Sequence, residues 1–228
     1  MRAVLIGCGL PILVATLTLL GCSSEAPLLS ADVSTRDMSL SASVDGDAAG
    51  TRVRVSLQGP GGAVTLVGGD RLVLRAGARE VPMTRDEQGN RVADLAPGTV
   101  GLALGLTREA PEASVDLAIP MPPLTSLVVP PSASRAAPVA IQWTPAIGPQ
   151  KLTLALAGTC LPPISRPLSV DVGSYTLQPA DLSGLSAETC TVTVSLTRRL
   201  DAQSTSGPLQ RTILALNQVA TATFESTP

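Results

Sequence analysis

Residues 51–57 read Thr51-Arg52-Val53-Arg54-Val55-Ser56-Leu57. Val53, Val55 and Leu57 share one parity; Arg52, Arg54 and Ser56 share the other. Successive side chains of an extended chain point to opposite faces, so this period of two predicts a half-buried strand. The pattern recurs as far as Pro120. Leu72 and Leu74 lie between Arg71 and Arg75, and Val100, Leu102, Leu104 and Leu106 alternate with Gly101, Ala103 and Gly105. Val115, Leu117 and Ile119 close the set. Turn-forming residues separate these runs at Asp45-Gly46-Asp47, Gly59-Pro60-Gly61-Gly62, Gly68-Gly69-Asp70, Gln88-Gly89-Asn90 and Pro97-Gly98. No segment before Pro120 keeps a helical period, and short strands at this spacing predict an antiparallel sandwich.

Prolines punctuate the next stretch. Pro120 to Pro123 reads as a stiff link, Leu124 to Val129 as the first strand of a second unit, and Pro130 to Pro138 as the loop after it. Val139, Ile141 and Trp143 then share a parity, as do Leu152, Leu154, Leu156, Gly158 and Cys160. So do Cys190, Val192, Val194 and Leu196. Pro179 to Leu185 is expected to form a helical turn, and Thr212 to Leu216 with Val219 to Phe224 a terminal hairpin about Asn217-Gln218. The expected fold class is all-β, with two sandwiches in tandem.

Composition narrows the functional classes. Hydrophobic residues make up 44% and charged residues 15%, which suits a folded chain. Aromatic residues make up only 1%, namely Trp143, Tyr175 and Phe224, so the cores must be built from aliphatic side chains. A net charge of −2 offers no basic field for nucleic acid. The scarcity of aromatics argues against base stacking and sugar platforms.

The first 22 residues give the address. Arg2 precedes an apolar run from Ala3 to Leu20, and the run ends in Leu19-Leu20-Gly21-Cys22. A basic start, an apolar body and small residues at the end are the parts of an export signal. This segment resembles the lipobox signal of bacterial lipoproteins. The resemblance implies cleavage before Cys22, acylation of Cys22, and anchoring to a membrane through its acyl chains, which hold stably when there are two or more. Ser23, where such proteins often carry Asp for inner-membrane retention, implies the outer membrane. The expected division is a signal peptide over 1–21, a tether over 22–31, a first sandwich over 32–120 and a second over 121–228.

The same resemblance implies that Cys8 is lost with the signal and that Cys22 is taken by lipid. Cys160 and Cys190 remain, and an even pair in an exported protein predicts a disulfide. Chain-entropy arguments give its loop closure about 3.5 kcal/mol.

Pro138-Val139-Ala140-Ile141-Gln142-Trp143-Thr144-Pro145 resembles the second strand of fibronectin type III and related immunoglobulin-like modules, where a tryptophan packs the core. Tyr175 to Pro179, the turn after it, and Cys190 to Arg199 resemble secreted bacterial immunoglobulin-like domains. Arg79 to Leu95, around Asp86-Glu87-Gln88-Gly89-Asn90, has a similar character.

Catalytic chemistry finds little purchase. A Ser-His-Asp or Cys-His arrangement needs an imidazole, and the chain has no histidine. Lys151 is the only lysine and, beside an inward leucine row, is expected to face solvent. Asp45-Gly46-Asp47 and Asp86 to Asn90 are candidate calcium loops, though their residues are also ordinary turn formers. Trp143 and Phe224 are expected in the core, with Tyr175 in the core or at an edge. Arg52, Arg54, Arg198 and Arg199 are expected on solvated outer strand faces. The sequence therefore points away from an enzyme, with no cofactor. It favours an envelope-anchored structural or protein-interaction module, whose partners are the membrane through Cys22 and another envelope protein. The alternative is a surface lipoprotein that binds polysaccharide or calcium.

Overall fold

The structure, a computed structural model, describes residues 28–183 and 188–228. The signal segment, Cys22 and the last part of the turn expected over Pro179 to Leu185 lie outside the described residues. Ten strands precede Pro120: β1 (Leu28–Leu29), β2 (Ser39–Gly46), β3 (Thr51–Gly59), β4 (Gly62–Thr65), β5 (Arg71–Ala76), β6 (Arg79–Val81), β7 (Thr84–Arg85), β8 (Arg91–Leu95), β9 (Leu102–Thr107) and β10 (Val115–Ile119). Eight follow: β11 (Ser126–Val128), β12 (Ser132–Ser134), β13 (Val139–Thr144), β14 (Leu152–Gly158), β15 (Leu161–Leu168), β16 (Ser174–Leu177), β17 (Cys190–Ser204) and β18 (Arg211–Thr227). The only helical pieces among the described residues are 3-10 turns at Ser30–Asp32, Thr35–Asp37 and Pro179–Leu182. No helix among them is long and apolar enough to cross a membrane. The expected all-β fold of packed sheets is what the chain adopts, but the largest sheet is mixed rather than antiparallel, because β1, β2 and β12 each pair in parallel.

The alternating rows face inward as their parity predicts. Val53, Val55 and Leu57 of β3 are buried, while Arg52 and Arg54 are exposed. Leu40, Ala42 and Val44 of β2 join them, and opposite stand Leu74 of β5 with Leu102, Leu104 and Leu106 of β9. A second core gathers Val139, Ile141 and Trp143 of β13, Leu152, Leu154 and Leu156 of β14, and Val192, Val194 and Leu196 of β17. Aliphatic burial at about 25 cal/mol per Å² carries both cores. Val100 departs from its row: it lies before β9 and is exposed.

Three sheets make the two sandwiches. β10-β9-β5-β6 covers the first core and β11-β13-β16 the second. The third sheet, of eleven strands, backs both cores: eight run β1-β4-β3-β2-β18-β17-β14-β15, and β7, β8 and β12 pair off this path. It is continuous because β17 and β18 form one long hairpin, paired from Cys190↔Ser226 to Ser204↔Thr212. Near its tip, β18 lies parallel to β2, from Arg211↔Ser39 to Gln218↔Gly46. Beyond that point β17 pairs with β14, from Leu152↔Arg198 to Gly158↔Val192. At about 3.3 Å per residue the hairpin is roughly 50 Å long, enough to pass both cores end to end.

This hairpin differs from the sequence expectation in two ways. Asn217-Gln218 is no turn but the middle of β18, and the actual turn lies between Ser204 and Arg211. Nothing in Thr212 to Phe224 breaks the strand, and the even-numbered residues keep one inward parity throughout. The linear division at residue 120 also leaves the first sandwich incomplete, because Leu209, Leu214 and Leu216 fill its core. The tether expected over 22–31 is folded from residue 28 onward. Leu28 pairs with Val64 and packs on the first core, and Ser30 is fully buried.

Candidate interaction surface at the junction of the sandwiches

Where the hairpin passes from one core to the other, its inward positions turn polar. Arg198 continues the row Val192, Val194, Leu196, and stands across the ladder from Gln218. Arg198 is 0% exposed, so the expectation of a solvated outer face is corrected for it; Arg199, of opposite parity, is exposed. A buried guanidinium requires compensation, and it is fully engaged. Its Nε donates to Asp171 Oδ2 at 3.0 Å, with the ion pair closing to 2.8 Å through a terminal nitrogen. It also donates to the Thr125 hydroxyl and the Pro145 carbonyl. Asp171 is fixed in turn: Oδ1 accepts from Trp143 Nε1 at 2.6 Å and from the Gly173 amide at 3.3 Å. Backbone bonds to Gly148 hold it in both directions, at 2.8 and 3.2 Å. Burial pushes the Asp171 carboxyl up, but the Trp143 indole and Arg198 outweigh it and hold the group below its ordinary value. The cluster thus ties the 145–150 loop, the 171–173 turn and Thr125, just before β11, to β17. Gln218, 4% exposed, has no hydrogen-bond partner at Oε1 among the described residues.

A second buried arginine holds the amino-terminal segment. Arg108 continues the inward row Leu102, Leu104, Leu106. Its Nε donates to Asp70 Oδ2 at 2.8 Å, and its terminal nitrogens to the Ser30 carbonyl at 2.7 Å and the Val33 carbonyl at 3.1 Å. Burial raises the Asp70 pKa, yet the Glu109 amide, the Ser30 hydroxyl and Arg108 together bring it below normal. Glu112 accepts from the Thr35 amide at 2.5 Å, and that hydrogen bond is the chief reason its carboxyl is also held low. The segment from Ser30 to Met38 is therefore clamped to the end of the first sandwich that also bears the hairpin tip, where Gln210 N donates to the Met38 carbonyl at 2.8 Å.

On the outer face of the junction lies a groove of about 710 Å³. Lys151, Thr153, Leu168, Arg199, Asp201 and Asn217 line it. Arg199 and Asp201 pair at 2.7 Å, whereas Lys151 joins no ion pair among the described residues. Lys151 is exposed, at the foot of β14.

The remaining sequence candidates fall as follows. Cys160 and Cys190 form a disulfide with Cα atoms 5.8 Å apart, at the end of the second sandwich away from the junction. Cys160 is buried in the turn after β14 rather than on the strand, because a register shift intervenes after Leu156. Trp143 and Phe224 are core residues, and Tyr175 packs partly buried against the second core. In the candidate calcium loops Asp47 and Asp86 are engaged by their own turns, and Asp45 Oδ1 accepts from Asn217 Nδ2 at 2.9 Å. Asp47 Oδ1 accepts from the Ala49 and Gly50 amides at 2.7 and 3.0 Å. Asp86 accepts from the Gln88 and Asn90 amides and the Asn90 side chain at 3.0, 2.9 and 3.0 Å, with Gly89 supplying a positive φ of 82° between them. No group of three or more His, Cys, Asp or Glu that could hold a metal is found among the described residues. Arg198, Asp171, Arg108 and Asp70 are what sequence reasoning missed. Parity could have found the two arginines, since each extends an inward row by one step; the aspartates carry no local signal.

Compared with known protein families and with curated proteins, the sequence matches none.

Proposed function

We propose that this chain is an envelope-anchored lipoprotein, acylated at Cys22, whose two immunoglobulin-like sandwiches act as a non-catalytic structural or protein-interaction module. One observation carries the interaction reading: both sandwiches share a single sheet, braced by a buried ion pair, so the sheet edges are presented as one fixed surface. Fixed edges are suited to adding a strand from a partner without first being ordered. Support for the immunoglobulin-like reading comes from strand order in the second sandwich. Its β11-β13-β16 sheet faces β15-β14-β17-β18, and β12 crosses over to lie parallel to β18. Trp143 occupies the middle strand of the three, as the fibronectin type III resemblance implies. The lipobox resemblance and Ser23 support placement in the bacterial envelope, at the outer membrane.

The test is affinity purification of the tagged, full-length protein from cross-linked membranes, with fatty-acid labelling run alongside. The expected result is a reproducible envelope partner, and labelling abolished by Cys22→Ala. Labelling that persists in Cys22→Ala would remove the anchor. Absence of any partner above background would remove the interaction module and favour a second reading. That reading, a surface lipoprotein binding polysaccharide, is supported by the junction groove with its hydroxyl, amide and lysine lining. Binding of glycans by the isolated protein would establish it.

A further inference from the structure

The largest sheet has an open edge beside its longest hairpin. β14 pairs with β17 only as far as Leu152↔Arg198, while β17 continues through Ser204 paired with β18 alone. Alongside Arg199 to Ser204 no described strand continues the line of β14, and alternate backbone groups there have no partner among the described residues. Leu200 and Ala202 point inward here and are only partly buried against the first core. Arg199, Asp201 and Gln203 point outward and are exposed. At the head of this edge stands Lys151, in the junction groove and without an ion-pair partner among the described residues.

We propose that this edge is where the partner docks, as an extended segment lying antiparallel to β17 in line with β14. The inference rests on the interaction reading above and names the site of that reading. Its chemistry defines the occupant. Apolar side chains at alternate positions would extend the inward row beside Leu200 and Ala202, completing burial of the first core. A carboxylate near the segment's carboxyl end would meet Lys151, because a strand running like β14 ends there. The opposite edge strand, β15, is a poorer acceptor, since Pro162, Pro163 and Pro167 lack the N–H a ladder needs. The Arg199–Asp201 pair guards the edge against indiscriminate pairing but neutralises itself, leaving Lys151 as the charge that selects.

The experiment places a photoreactive amino acid in the full-length protein in cells, at Gln203 on the edge or at Thr221 on the outer face of the second sandwich. The same positions are then tested with Lys151→Glu. Purified full-length protein in detergent is also probed by hydrogen exchange, with and without a synthetic peptide of alternating valine and threonine ending in aspartate. Adducts at Gln203 that Lys151→Glu removes are expected. So is slowing of exchange within 199–204 by about tenfold or more on peptide binding, with affinity falling about tenfold in Lys151→Glu. Adducts at Thr221 but none at Gln203 would overturn the edge and leave the interaction reading standing. An absence of adducts at both positions would sink both. Unchanged exchange at 199–204 while the peptide binds elsewhere would also overturn the edge.

Discussion

Arg198 shows how a charge is accommodated where an inward row leaves its core. Its neighbours in the inward row, Val192, Val194 and Leu196, are aliphatic, whereas Arg198 itself is met by Asp171. Removing one member of a buried pair strands the other, which costs about 3–5 kcal/mol. Asp171→Ala is therefore expected to destabilise the protein by that amount in urea titration. Adding Arg198→Met should restore much of the loss, because the unpaired charge goes with it. The two buried aspartates also set the acid limit. Asp70 and Asp171 have folded pKa values below the ordinary 3.8, so the folded state binds fewer protons than the unfolded. Their contribution is then fully present above about pH 5 and is lost as pH falls below about 4, through the folded values. Stability measured against pH should decline over that window, and Asp171→Asn should remove its share of the slope.

At the scale of the element, the β17–β18 hairpin decides the organisation. Residues 209–216 supply Leu209, Leu214 and Leu216 to a core whose other members all lie before residue 120, Met121, Leu200 and Ala202 at its margin aside. A fragment ending at Pro120 would expose β2 as an open edge and leave that core uncovered on one side. It is expected not to fold cooperatively, giving poor amide dispersion in NMR spectra. A sharp, well-dispersed spectrum would refute the claim that the hairpin completes the first sandwich. The unbroken alternation of β18 was legible in residues 211–227; its reach into another unit was not. Parallel pairing with Ser39 to Gly46 joins segments about 170 residues apart, and no local pattern encodes such a partner.

For the molecule as a whole, a shared sheet couples the two sandwiches. Thermal unfolding followed by Trp143 fluorescence, which reports the second core, and by far-ultraviolet circular dichroism, which reports both, should coincide in one transition. Reducing the Cys160–Cys190 disulfide, which closes a loop with a sequence separation of 30, should lower the stability by about 3.5 kcal/mol. Because the sheet is continuous, that loss should move the same single transition rather than split it. Two separated transitions would mean that the hairpin bridges the cores without coupling them.

The sequence by itself determined the all-β class, the inward rows, most turn positions, the pairing of Cys160 with Cys190 and the core placement of Trp143. All but the cysteine pairing, which follows from the two cysteines left in a chain read as exported, are written in side-chain parity or local composition, which depend on neighbours along the chain. Only the tertiary structure decided that the carboxyl-terminal hairpin completes the first sandwich, that Arg198 and Arg108 are buried against Asp171 and Asp70, and that six residues of β17 lie along an open sheet edge. Those features arise from which segments meet across the fold. A period of two says which way a side chain points, but not what it will find there.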